Sequence, residues 1–153
     1  MIVGDSSALI ALAVVDQLGL LEKLYDILYV PQAVYNEVIQ IDRPQSDKLK
    51  NFLHHKVQVV HLNITKLGLG LGELEAITLY KELDADILLI DDNRAKKYAL
   101  INNVNVIGSL GILIKAKEKG YIDLVKPLLE TMKQSEIYLS NNLVSKVLEL
   151  CDE

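Results

Sequence analysis

Apolar residues recur along this chain in short blocks, some continuous and some at helical spacing, and the two kinds alternate. Ile87-Leu88-Leu89-Ile90 is a continuous block, the pattern of a strand buried on both faces in a parallel sheet. Met1–Gly4, Ile27–Val30, Val57–Leu62 and Val104–Ile107 read in the same way. Between them the spacing predicts helices over Ser6–Val15, Leu18–Asp26, Pro31 to about Gln40, Gln45–His54, Glu73–Leu83 and Asn93–Ile101. Further helices are expected over Ser109–Lys119, closed by Gly120, then from about Leu124 to Met132 and over Leu139–Leu150. Strands alternating with helices predict a three-layer α/β/α sandwich with a mainly parallel five-stranded sheet. Asp42–Pro44 reads as a turn and Asn63–Gly72, with its three glycines, as a flexible loop.

Acids fall where this pattern puts strand ends and helix starts. Asp5 follows the first strand, and Asp91 and Asp92 follow the fourth. Glu37 borders the buried stripe of Val34, Val38 and Ile41. Glu73 opens the next helix on the side of Ala76 and Ile77, whereas Glu75 is expected to face solvent. Ligand crevices of open α/β sheets lie beyond the carboxyl ends of the strands. Each acid also has a structural reading: Asp5 and Asp92 as helix N-caps, Glu73 as a first-turn acid complementing the helix dipole.

Composition narrows the possibilities. The 153 residues, 50% hydrophobic and 24% charged, suit one domain over residues 1–153, with the C-terminal helices beginning near residue 124. A lone cysteine, Cys151, excludes an intrachain disulfide framework and fits a reducing cytoplasm. The longest apolar run, Ala8–Val15, is too short to cross a bilayer, so a cytoplasmic protein without membrane contact is expected. A net charge of −5 argues against gripping nucleic acid by bulk electrostatics, but setting aside Asp5, Glu37, Glu73, Asp91 and Asp92 would leave acids and bases balanced.

Carboxylates gathered at one sheet end need protons or cations to offset their repulsion, and hard ions such as Mg²⁺ or Mn²⁺ prefer such oxygens. His54, His55 and His61 lie apart and read as surface residues, so zinc is not favoured. Carboxylate-bound Mg²⁺ can activate water against a phosphodiester. Arg94, Lys96 and Lys97, on the polar side of the helix after the acidic pair, are candidates to hold a backbone phosphate. Ser6 and Ser7 beside Asp5 are candidates either to bond metal waters or to cap the first helix.

Four segments in order, Ile2-Val3-Gly4-Asp5-Ser6-Ser7, Val30-Pro31-Gln32-Ala33-Val34-Tyr35-Asn36-Glu37, Gly70-Leu71-Gly72-Glu73-Leu74-Glu75-Ala76-Ile77 and Leu88-Leu89-Ile90-Asp91-Asp92-Asn93-Arg94-Ala95, resemble the motifs of PIN-domain proteins. They are closest to a branch with an Asp-Asp signature that holds many toxin-like nucleases, and the resemblance runs from Ile2 to about Leu128. It implies a Mg²⁺- or Mn²⁺-dependent endoribonuclease in which Asp5, Glu37, Glu73 and one of Asp91 and Asp92 bind metal and carry catalysis. Spacing from Glu73 favours Asp91, whereas the residues that follow align from Asp92. Many family members carry Asp where this chain has Glu73. The resemblance further implies a toxin restrained by a small antitoxin protein, with RNA as substrate, and the apolar terminal helices allow a homodimer. The alternatives are a PIN-like RNA- or protein-binding module without catalysis and, more remotely, a phosphoacceptor domain, whose acidic pair would come early rather than late.

Overall fold

A computed structural model describes residues 1–40, 42, 44–62 and 68–153. The apolar blocks form a five-stranded sheet: β1 (Ile2–Gly4), β2 (Leu28–Pro31), β3 (Val57–Gln58), β4 (Ile87–Leu89) and β5 (Val106–Ile107). Strand order is β3-β2-β1-β4-β5, and every pairing is parallel. β1 is therefore central, Ile2 facing Leu28 on one side and Ile87 on the other. All three of its residues are buried, as expected of a strand covered on both faces.

The helices are α1 (Ser6–Val14), α2 (Gly19–Leu24), α3 (Gln32–Gln40), α4 (Ser46–Leu53), α5 (Leu71–Glu82), α6 (Asn93–Ile101), α7 (Ser109–Glu118), α8 (Lys126–Lys133) and α9 (Asn141–Leu150). One cluster of buried side chains joins sheet and helices, with Ile2, Leu9, Leu12, Leu88, Leu89, Ile112 and Leu113 fully enclosed. Gly120, at φ +73°, ends α7 in the left-handed conformation that a side chain disfavours.

Several expected boundaries move, three of them at strands. Pro31 ends β2 instead of opening α3; a proline at a strand's last position removes only one ladder donor. β3 stops at Gln58 and β5 begins at Val106, although Val60 and Val104 are buried. These two residues pack into the core without pairing, so their hydrophobicity reports burial and not strand. The expected helical position of Ile41, Arg43 in the Asp42–Pro44 turn, and residues 63–67 of the glycine loop lie outside the described residues. His54, His55 and His61 are exposed, and Cys151 is buried. Among the described residues no helix is long and apolar enough to cross a membrane.

Candidate active site at the carboxyl end of the sheet

β1 leads straight into Asp5, whose N–H continues the ladder to the Leu89 carbonyl at 2.9 Å. Asp5 stands at the N-cap position of α1 with extended backbone, yet its side chain does not cap the helix. It is 1% exposed. Oδ2 accepts from the Ser7 hydroxyl at 3.2 Å, and Oδ1 has no partner among the described residues. Burial of a half-satisfied carboxylate penalises its charge. Asp5 is accordingly raised from its ordinary 3.8 to about 7, chiefly by burial, against the opposing pull of the Ser6 N–H and the Ser7 hydroxyl and with further upward push from the charges of Glu73 and Glu37. Those two acids share its electrostatic neighbourhood although they arrive on α5 and α3.

Glu37 is half-buried, and its Oε2 accepts from the Ser6 hydroxyl at 2.7 Å. Ser6 thus bonds an acid on another helix and does not cap its own. The first turn of α5 lies directly against the same carboxylate: a Cβ on Gly72 would sit 2.6 Å from Glu37 Oε1. Gly72 belongs to α5 and not to the flexible loop, and its role is close approach. A glycine inside a first helical turn beside an acid was the available signal, since glycine weakens helices unless something needs the space.

Glu73, at the third position of α5, is half-buried, and its Oε2 accepts from the Gly70 N–H at 2.7 Å. Glu75 corrects the expectation of a solvent-facing side chain. Its Oε2 accepts from the Ala33 N–H at 2.9 Å, which satisfies a free donor in the first turn of α3, the helix that carries Glu37. α5 packs against α3 as well as the sheet, so its second face is covered too.

The two aspartates after β4 part company. Asp92 is exposed and caps α6, Oδ1 accepting from the Ala95 N–H at 2.8 Å. Asp91 turns to α7, where Oδ1 takes the Ser109 N–H at 2.7 Å and Oδ2 the Ser109 hydroxyl at 2.6 Å. Of the basic residues, Arg94 donates to the Gly68 carbonyl at 3.0 Å, Lys97 is exposed, and Lys96 is half-buried beside Gly108.

Asp5, Glu37 and Glu73 offer only carboxylate oxygens, the donor chemistry of a hard divalent cation, and the orphaned Asp5 Oδ1 is a buried lone-pair site in need of a positive partner. Among the described residues no three histidine, cysteine or carboxylate side chains are arranged to hold one ion. Glu37 and Glu73 are each turned to a hydrogen-bond donor of their own, the Ser6 hydroxyl and the Gly70 N–H. The chemistry of the donor set fits such a cation.

A family model described as a PIN domain matches residues 1–153. A search of curated proteins gives no match.

Proposed function

Because the chain belongs to the PIN-domain family, whose members are generally nucleases, we propose that it is a divalent-metal-dependent endoribonuclease. The observation that supports this most strongly is the buried carboxylate of Asp5, with one oxygen unpartnered and two further acids bearing on it. Nuclease domains of this family typically use divalent metals, and we assign Mg²⁺ or Mn²⁺ to Asp5, Glu37 and Glu73. Asp92 supplies the fourth carboxylate in this reading. Its cap uses Oδ1 alone, whereas both oxygens of Asp91 already accept from Ser109.

When bound, such a cation lowers the pKa of a water and offsets the charge that grows on a phosphodiester under attack. The chain's own residues prepare the position. Asp5 would hold the cation from a position shielded from bulk water, where its charge counts most, and its carboxylate would have to be deprotonated to do so. Ser6 steadies Glu37, and Gly72 leaves its carboxylate room. Asp91, anchored on Ser109, fixes the turn between β4 and α6 that presents Asp92.

Asp5→Asn is expected to abolish Mn²⁺-dependent cleavage of RNA while leaving the circular dichroism spectrum unchanged; equal cleavage by both proteins would refute the assignment. Asp92→Asn keeps a competent N-cap and loses only charge. It should cut cleavage more deeply than Asp91→Asn.

The rival reading is a PIN-like binding module without catalysis, and the observation in its favour is that Glu37, Glu73, Asp91 and Asp92 all have hydrogen-bonded structural roles. Metal separates the two, since an ion that binds only the folded state raises the melting temperature. No shift at millimolar Mg²⁺ or Mn²⁺ would favour the module. A toxin role forms the finer part of the proposal: expression should arrest growth, Asp5→Asn should relieve the arrest, and a small antitoxin should do the same for the wild type.

A further inference from the structure

Against Asp91 lies a cleft of about 400 Å³ between α6, the start of α7 and the segment leading into α9, within the roughly 300–1,000 Å³ of pockets that hold small ligands. Its two walls differ in chemistry. One carries Asn93, Lys96 and Ser109 with the edge of Asp91; the other is apolar, formed by Ile137, Leu139 and Leu143. Tyr138 stands on the lining and is 88% exposed, an unusual state for an aromatic ring in a chain with few of them.

Lys96 makes no ion pair among the described residues, yet it is half-buried and held over Gly108. A Cβ at Gly108 would lie 3.2 Å from its Nζ and 2.8 Å from Asp91 Oδ1, so glycine keeps the space between them open. The first N–H of α7 is already taken by Asp91. Lys96 is therefore the group on this wall able to meet an anion.

A cation and an exposed aromatic ring on the lining of one open cleft are the groups with which proteins hold one unit of a single-stranded nucleic acid, phosphate on the cation and base on the ring. We infer that this cleft is a nucleotide subsite for single-stranded RNA, the base stacking on Tyr138 and its phosphate meeting Lys96. The inference rests on the nuclease reading, because Asp91 forms the wall of the cleft and the neighbouring Asp92 belongs to the proposed metal site.

The chain has no tryptophan, so Tyr138→Trp gives a single reporter at the cleft. Short oligouridylate, titrated in chelator, should quench it saturably. Tyr138→Ala should weaken oligouridylate binding about tenfold, with an abasic oligonucleotide of equal length unaffected. Lys96→Gln should weaken both ligands and lower the slope of log K against log salt by about 0.7. Binding without quenching, equal weakening of the abasic ligand by Tyr138→Ala, or no effect of Lys96→Gln would overturn the subsite. Chelator separates this from the nuclease reading. Normal RNA binding by Tyr138→Ala beside loss of cleavage in Asp5→Asn removes the subsite alone, and quenching in a protein that never cleaves removes the nuclease alone.

Discussion

Asp5 sits at the end of a wholly buried strand, a poor place for a charge. Its folded-state value of about 7 lies above the 3.8 of an ordinary aspartate. A group raised on folding contributes stability that is complete below its unfolded value and is lost as pH climbs to the folded one. Metal-free protein should therefore become less stable as pH rises from about 4 to about 7, and Asp5→Asn should flatten that dependence in melts recorded with chelator. Gly72→Ala makes the complementary prediction. Its methyl would meet the movable end of Glu37 and its backbone needs no left-handed conformation, so the fold should persist while the melting shift produced by Mn²⁺ shrinks. Helical periodicity was enough to bring Glu37 to the edge of the core and Glu73 inward. It misplaced Glu75 because a periodic stripe says which side of a helix meets the sheet, and says nothing of a second helix packed on the other side.

At the scale of elements, α3 is an acid carrier steadied from outside. Its first turn is bonded by Glu75 of α5, and its second by the hydrogen bond from Ser6 of α1 to Glu37. Glu75→Ala should cost about 1 kcal/mol of stability, as lost helix caps do, and should also weaken metal binding, whereas Glu75→Gln keeps an acceptor for the Ala33 N–H and should restore much of both. Chemical denaturation with and without Mn²⁺ would measure the pair. α7 and α8 are clamped by Glu153, whose carboxylate takes Lys117 Nζ at 2.8 Å and the N–H groups of Val125 and Lys126. The Lys117 contact above all, then those N–H bonds, pull it from 4.5 down to about 2. Lowered on folding, it contributes stability present above 4.5 and lost as pH falls towards 2; Glu153→Gln should reduce the acid sensitivity of unfolding. The two edge strands are shorter than their apolar runs for a related reason: Val60 and Val104 are apolar because they are covered, and no strand among the described residues pairs with them.

For the whole molecule, alternation of blocks and helices was enough to predict parallel layers, but strand order is set by pairings between segments far apart in the chain, which no local pattern encodes. The divergence of Asp91 and Asp92 was equally hidden, since it depends on α7 offering Ser109 to one of them. The central place of β1 has a consequence in time. Its partner on one side, β2, follows soon after it, but its partner on the other is β4, Ile2 against Ile87. Parallel pairing of distant segments is slow, and chains fold as they emerge from their N-terminal end. A nascent polypeptide that has delivered Asp5, Glu37 and Glu73 still lacks the strand that closes β1. On the proposed reading, the order of the sheet holds back a complete acidic site until β4 has followed those three acids out of the ribosome.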